Sequence, residues 1–421
     1  MFKFIHCADI HIDSPLRGLE QYEGAPVDRI RSATRQALKN LVTLALHEEA
    51  MFILIAGDLY DGDWRDYNTG LFLAKEMSRL REAGVKVFVI SGNHDAASQI
   101  TRSLRMPKNV AFLSTREPET ILLEDAGVAI HGQGFSQPAV TRDLATNYPH
   151  AEPGYFNIGM LHTSLTGREG HETYAPCRIE TLLAKGYDYW ALGHVHTREV
   201  LHKNPWILFP GNTQGRHIRE PGQKGCTVVT VDRGACESAD HRDLHVLRWA
   251  LIDVDASEAG HPSDLVDKVQ TLVEEERMKG NDEFLAARLR LTGACDAHKE
   301  LTMASDRWIN QIRAAVYDIT GGTTWLEKIE VKTRSPMDLD RMIERDDPLG
   351  DLLRYIHALE SGDVFLQSVR EDFAQLRAKL PAEAANEDFL RALDSREGMR
   401  EVIEDIKQIL VPRILSAGTE Q

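Results

Sequence analysis

The sequence predicts an α/β fold: a two-sheet sandwich flanked by helices over residues 1–255, then a small α/β module over 256–336 and a helical segment over 337–421. Three observations carry this. Apolar runs rich in β-formers alternate with stretches of helical period in the first part. The connections then shorten, which suits a second sheet. Beyond Asp255 the pattern changes to helix, strand, helix, strand, and finally to helices alone.

The first strand candidates are Phe2–Cys7, Met51–Ala56 and Val85–Ile90, each ending in a polar cluster. Between the first two, Asp28–Ala50 sets Ile30, Ala33, Ala37, Leu38, Leu41, Val42, Ala45 and Leu46 at helical spacing, with Asp28 as candidate N-cap. Asn68–Glu82 repeats the pattern with Leu71, Leu73, Met77 and Leu80. This βαβαβ unit predicts a largely parallel sheet with right-handed crossovers. Further strands are expected at Val128–Ile130, Phe156–Leu161, Tyr187–Leu192, Trp206–Phe209 and Cys226–Val231. In the small module, helices are expected at His261–Glu276 and Ala297–Tyr317, and strands at Phe284–Leu291 and Thr323–Val331. After a linker, helices are expected at Leu349–Leu359, Asp363–Leu380, Asn386–Leu393 and Arg396–Ile414. Their stripes (Leu366, Val369, Phe373, Leu376 and Leu380; Val402, Ile406, Ile409 and Leu410) read as core or as a partner's groove.

The 421 residues include 49 basic and 65 acidic side chains, a formal charge of −16. Residues 337–421 hold 19 acids and 11 bases, so half of the excess lies in the last fifth of the chain. An acidic total ordinarily argues against a nucleic-acid partner, but a remote acidic segment and cation-binding acids weaken that argument. No apolar run reaches the ~18 residues that span a bilayer. The N-terminus turns polar too early for a signal peptide. Five scattered cysteines without a CxxC exclude a disulfide framework and point to a reducing cytoplasm.

Five polar clusters stand at the C-terminal ends of predicted strands, where open α/β sheets place their active sites. They are Asp9-Ile10-His11, Gly57-Asp58, Gly92-Asn93-His94-Asp95, His162 and Gly193-His194-Val195-His196. Singly they are bland: D-x-H is common by chance, Gly-Asp is a turn, and one histidine is usually a hydrogen-bonded core residue. Together, five histidines, three acids and an asparagine would converge on one sheet edge, where a purely structural account would have to satisfy many buried polar groups at once. Mixed imidazole, carboxylate and amide donors suit a divalent metal such as manganese, iron or zinc. A shared carboxylate can bridge two such ions about 3.5–4 Å apart, a pair that promotes displacement at phosphorus.

The order D-x-H, GD, GNHD, H, GHxH resembles the calcineurin-like metallophosphoesterases. The stretches HCADIHIDSPL, GDLYDGDWRDYNTG, LHTSLTGREGHETYAPC and PGNTQGRHIRE resemble more closely the SbcD-type DNA repair nucleases and, among them, the YhaO-like bacterial branch. The motifs cover residues 1–232; the later segments match that family's cap and ATPase-docking parts in architecture only. The resemblance implies a two-metal-dependent phosphodiesterase, an exonuclease or endonuclease. Its ions would be two Mn2+, or Fe2+, Zn2+ or Mg2+. Its partners would be DNA and a coiled-coil SbcC-type or YhaN-like ATPase, with no membrane and a homodimer left open.

It also implies residue roles. Asp9, His11 and His196 would hold one metal, Asn93, His162 and His194 the second, with Asp58 bridging. His94 would face the scissile phosphate and protonate the leaving oxygen, and Asp95 would either orient His94 or cap the helix beginning near Ala96. Related nucleases carry a second catalytic histidine where this chain has Asp61, which cannot be a cationic phosphate contact. Restoring a histidine there is expected to raise activity or leave it unchanged. Arg168, His171 and Arg178, and Arg216, His217 and Arg219, sit in loops that would reach either phosphate or solvent. Tyr60, Trp64 and Tyr67 would stack on a base or pack a loop.

Two other readings stand beside the nuclease. A phosphatase or phosphodiesterase for a small nucleotide or phosphoprotein would use the same chemistry. Against it, GDLYDGD departs from the GDxVDRG run of protein phosphatases, and about 165 extra residues exceed what such an enzyme needs. A non-catalytic docking subunit is disfavoured because every expected ligand is present.

Overall fold

The computed structural model describes residues 1–14, 25–61, 67–97, 106–165, 174–281, 283–336, 342–361, 363–377, 379 and 395–417. The chain divides into two compact units: 1–250 with 280–286, and 251–279 with 287–421. In the first unit the strands are β1 (Phe2–Cys7), β2 (Phe52–Ala56), β3 (Lys86–Ile90), β4 (Val110–Phe112), β5 (Glu119–Leu123), β6 (Val128–Gly132), β7 (Phe156–His162), β8 (Tyr189–Gly193), β9 (Glu199–Lys203), β10 (Trp206–Phe209), β11 (Gly225–Asp232) and β12 (Ala235–Asp243). Its helices are α1 (Val27–His47), α2 (Tyr67–Glu82) and α3 (Ile179–Leu183).

The strands form two six-stranded sheets, ordered β12-β11-β1-β2-β3-β4 and β5-β6-β7-β8-β10-β9. Within the first, β1 through β4 run parallel; within the second, β6, β7, β8 and β10 do. Phe4, Phe52, Leu54, Phe88 and Ile90 of the first sheet meet Ile130, Ile158, Met160, Tyr189 and Leu208 of the second in one dry core. The first sheet's other face buries Ile5, Ile53, Ile55, Val87 and Val89 under Leu38, Leu41 and Val42 of α1 and Leu73, Met77 and Leu80 of α2. The second sheet's outer face packs Trp190, Leu192, Ile207 and Phe209 against Phe135, Leu144, Tyr148 and Leu182. Each such large apolar side chain contributes about 1.5–3 kcal/mol on burial. This explains why the sequence pattern was so plain: strands buried on both faces read as continuous apolar runs.

Strands that the periodicity did not reveal lie mainly at edges. β9 (EVLHK) and β12 (ACESADHRD) face water on one side and are polar; β4 and β5 are short or exposed. Asp28 is not the N-cap of α1; that position is Pro26, and Asp28 lies in the first turn, where a carboxylate still favours the helix dipole.

The third sheet, β13 (Leu247–Asp255), β14 (Phe284–Ala294) and β15 (Thr324–Arg334), has the order β13-β14-β15. In the second unit α4 (Pro262–Met278) packs on α6 (Ser305–Thr320), with α5 (His298–Met303) between β14 and α6 in sequence. The expected single helix Ala297–Tyr317 is therefore two, interrupted at Ala304. Val266, Val269 and Val273 of α4 and Trp308, Ile312 and Val316 of α6 are buried. The helices α7 (Pro348–Ser361), α8 (Asp363–Arg377) and α9 (Arg396–Ala417) follow. Leu349, Leu353 and Val411 form one small cluster; Met399 packs with Val369, Phe373, Val402 and Ile403 in another. The helix expected at Asn386–Leu393 lies outside the described residues.

The two sheets approach each other closely at Gly193, where an added Cβ would run into the carbonyl oxygen of Ala56 and stand 3.0 Å from Nδ1 of His162. Backbone cannot yield as a flexible side chain does. Gly193→Ala is expected to destabilise the chain by about 1–3 kcal/mol, read as a lowered denaturant midpoint.

Candidate functional site

Five loops leave the C-terminal ends of β1, β2, β3, β7 and β8 at one edge of the sandwich. Asp9 and His11 follow β1, Asp58 follows β2, Asn93 and His94 follow β3, His162 ends β7, and His194 and His196 follow β8. The β1 loop stays paired with the β2 loop beyond the sheet: the N–H groups of Asp9, His11 and Ile12 donate to the carbonyls of Gly57, Asp58 and Leu59, each at 3.0 Å. Four of the site residues are left-handed, with φ of 51° at Asp9, 46° at His11, 51° at Asp58 and 102° at His194. Such conformations are uncommon for side chains of this kind and persist only where the surroundings hold them. Here they turn the chain sharply enough to aim successive polar side chains into one space.

Three ligand groups result, each with its donor atoms within 4.8 Å: Asp9 with His11 and His196; Asp58 with His162 and His194; and His11 with Asp58 and His94. Asp58 belongs to two of them. Its Oδ2 lies 3.5 Å from Nε2 of His162 and 3.9 Å from Nε2 of His11. Its Oδ1 accepts the backbone N–H of His94 at 3.0 Å. Asn93 Oδ1 lies 3.0 Å from Nε2 of His162, and the Asp9 carboxylate accepts the N–H of His194.

The donor set suits metal ions for a specific reason. His162 donates Nδ1–H to the carbonyl of Ala56 at 2.9 Å, which leaves its Nε2 lone pair facing oxygen atoms of Asn93 and Asp58. His196 donates Nδ1–H to Glu220 at 2.7 Å, and its Nε2 stands 3.3 Å from Nε2 of His11. Lone pairs opposed in a buried site repel unless a proton or a cation lies between them. Burial works against a proton on His162, but the Asp58 carboxylate outweighs it and raises the pKa to about 9. Burial likewise works against the charge on Asp58, and His162, His11 and His94 overcome it, holding the carboxyl well below its usual range.

His94 stands at the rim, 40% exposed, and its Nδ1 donates to Oδ1 of Asp61 at 2.7 Å. The sequence-based role for Asp95 is corrected here. Its carboxylate accepts the backbone N–H groups of Leu59, Tyr60 and Gly92 at 3.2, 2.8 and 3.0 Å, so it ties the β2 loop to the β3 loop, while His94 Nδ1 bonds Asp61 instead. The partner of His94 is Asp61. That carboxylate also accepts from Ser14 Oγ and lies 3.4 Å from Nη1 of Arg216. Asp61 is thus already engaged by His94, Ser14 and Arg216, which argues against a gain from histidine at this position.

Arg216 is only 12% exposed, gripped by Glu220 at 2.8 Å as well as by Asp61. His217 is 53% exposed beside it, and Arg178 and Arg219 are exposed. Arg168, His171, Trp64 and the side chain of Tyr67 lie outside the described residues. Tyr60 is fully buried in the core beneath α1 and α2, which decides for packing over stacking. Two residues escaped sequence reasoning, Ser14 and Glu220. Glu220 follows Arg216 by four positions, and that spacing was the one available signal.

Comparison with known proteins agrees with this geometry. Residues 2–198 match the calcineurin-like phosphoesterase family, and residues 249–334 match the middle domain of metallophosphoesterase YhaO. The uncharacterized metallophosphoesterase YhaO of Bacillus subtilis is 38% identical over 294 residues, covering 69% of this chain and 71% of its own. The chain belongs to the calcineurin-like metallophosphoesterases. Within that family it is also similar, at 27% identity over 55% of this chain and 54% of the relative, to the DNA double-strand break repair protein Mre11 of Methanopyrus kandleri. A dimetal phosphatase from Danio rerio superposes over 55% of this chain and 93% of its own at 11% identity, with a TM-score of 0.33, too slight a likeness to bear on the site. A metallophosphoesterase with this donor set carries candidate sites for divalent ions.

Three outcomes follow from the geometry. Asp58→Asn is expected to weaken binding of both ions, measured by calorimetric titration of the metal-free chain, whereas His94→Gln should leave that binding nearly unchanged. Asp61→His is expected to lower the rate of phosphodiester hydrolysis, because it removes the acceptor of His94 Nδ1–H. The hydrogen bond that His94 donates to Asp61 raises the pKa of His94, so the imidazolium persists to higher pH than it otherwise would. In Asp61→Asn the alkaline limb of the pH–rate profile should accordingly move to lower pH.

Proposed function

We propose that this chain is a two-metal phosphodiesterase that hydrolyses DNA phosphodiester bonds, the nuclease subunit of a cytoplasmic repair assembly with a coiled-coil ATPase. The observation that carries it is the convergence of seven ligand side chains beside a carboxylate–histidine pair at an open rim. Two divalent ions held by Asp9, His11, Asp58, Asn93, His162, His194 and His196 would supply Lewis acidity at the phosphoryl oxygens and an activated water. The mixed nitrogen and oxygen donors favour manganese, with iron, zinc or magnesium as competitors. Asp58, shared between two ligand groups, holds the two halves of the site in register. His94, with Nδ1 held by Asp61, presents Nε2 to the leaving oxygen and donates a proton there. The similarity to an Mre11 protein supports DNA as the substrate class.

The partner assignment rests on the tail. Ile406, Leu410 and Ile414, spaced four residues apart on α9, are 46%, 39% and 41% exposed, an apolar stripe of the kind a partner helix covers. The three-way division into a catalytic domain (1–255), a cap (256–336) and a docking tail (337–421) belongs to the same proposal. No helix among the described residues is long and apolar enough to cross a membrane.

The test is the purified chain with Mn2+ on single- and double-stranded DNA beside bis(p-nitrophenyl) phosphate. Cleavage of DNA is expected, and His94→Gln should lower its rate by about 10²–10⁴-fold. Slow cleavage of the synthetic diester with no action on DNA would instead favour a small nucleotide as substrate. Deleting Leu349–Gln421 should leave hydrolysis of the synthetic diester within a few-fold and abolish co-purification with the ATPase; retained co-purification would overturn the docking assignment.

A further inference from the structure

We infer that Glu220 and Arg216 form a positioning brace between the two halves of the reaction: Glu220 fixes the tautomer of His196, and Arg216, held by Glu220, sets the Asp61 carboxylate against His94. This rests on the reading of His94 as the proton donor.

Glu220 is 6% exposed and every direction of its carboxylate is taken. It accepts Nδ1–H of His196 at 2.7 Å, Nδ2–H of Asn212 at 2.9 Å, and the backbone N–H and Nη2–H of Arg216, each at 2.8 Å. A carboxylate offers about four acceptor positions and no proton when ionised. The His196 proton is therefore confined to Nδ1, and Nε2 turns its lone pair toward Asp9 and His11, 3.9 and 3.3 Å away. An acid that served only to tie its own turn would need no bond to a ligand histidine.

Arg216 carries the brace across the site. An arginine that awaits a phosphate presents its fork to solvent, whereas this side chain is 12% exposed and spans two carboxylates. Its Nη1 lies 3.4 Å from Oδ2 of Asp61, the oxygen that also accepts from Ser14, while Oδ1 of Asp61 takes His94. The Asp61 carboxylate is thus held at both oxygens. Turning it to release Arg216 would also misalign His94.

The leaving group reports on this. An alkoxide leaving from a nucleotide needs a proton in the transition state, and p-nitrophenolate hardly does. The experiment uses the full chain with Mn2+ on two diesters, thymidylyl-thymidine and bis(p-nitrophenyl) phosphate. Arg216→Ala is expected to lower kcat on the dinucleotide by about 10–100-fold, with little change on the synthetic diester and KM unchanged on both. Arg216→Lys, which keeps the charge and loses the fork, should show the same pattern more weakly. The loss should be non-additive with Asp61→Asn, since both break one interaction. Glu220→Gln should weaken Mn2+ binding to the metal-free chain by about 10–100-fold in calorimetry. A rise in KM shared by both diesters would mean that Arg216 contacts phosphate directly, and additivity with Asp61→Asn would equally overturn the brace. If His94→Gln shows the leaving-group pattern and Arg216→Ala does not, the brace alone falls; if the unsubstituted chain cleaves neither diester, the phosphodiesterase reading falls and takes the brace with it.

Discussion

Asp58 is a carboxylate with 1% of its surface exposed, and it stays ionised only because His162, His11 and His94 surround it. Burying such a charge alone would be prohibitive, and burying several lone pairs around it would add to the penalty. The rest of the site can be read as a response to that problem. Two imidazoles, His11 from the loop after β1 and His162 from the end of β7, come within 4 Å of Asp58, and its other oxygen takes a backbone N–H from the β3 loop. A divalent cation held by these groups would replace their mutual repulsion with coordination.

Geometry of this kind requires the backbone to be held in unfavourable conformations. Asp9, His11, Asp58 and His194 are left-handed, and Gly57, at φ 97°, passes so close to His162 that no side chain fits. The scaffold restrains them from outside. Asp13, itself at φ 55°, accepts both arms of Arg35 on α1 at 2.6 and 2.5 Å and the hydroxyl of Thr69 on α2 at 2.5 Å. Asp95 takes three N–H groups from the neighbouring loops. The polar clamps and the packed core beneath α1 and α2 together keep the loop residues where a flexible edge would let them relax.

Outside the inner ring lies a second set of charges, Asp61, Arg216 and Glu220, whose burial is tolerable because each meets the opposite sign. Burial raises the proton affinity of Glu220, yet His196 and Arg216 hold its carboxyl far below the usual range. The acidic excess of the chain is therefore not a bar to a phosphate substrate. Half of it lies in residues 337–421, and the acids at the site are compensated by histidines and by Arg216.

The sequence by itself determined the sandwich and which polar clusters stand at the ends of its strands. Strands buried on both faces are long apolar runs, and metal-binding side chains are types that rarely sit together at strand ends for other reasons. Edge strands such as β9 and β12 were not legible, because half-solvated strands look like loops. Only the tertiary structure decided what stands behind the ligands. Asp95 and Asp61 are both acids near His94, and nothing in their spacing says which carboxylate reaches the ring. Likewise Glu220 and His196, 24 positions apart, meet only because the turn after β10 folds back over the β8 loop. Ligand chemistry is written in residue type, which a linear pattern preserves. The direction a carboxylate points is set by loop conformation and packing, which it does not.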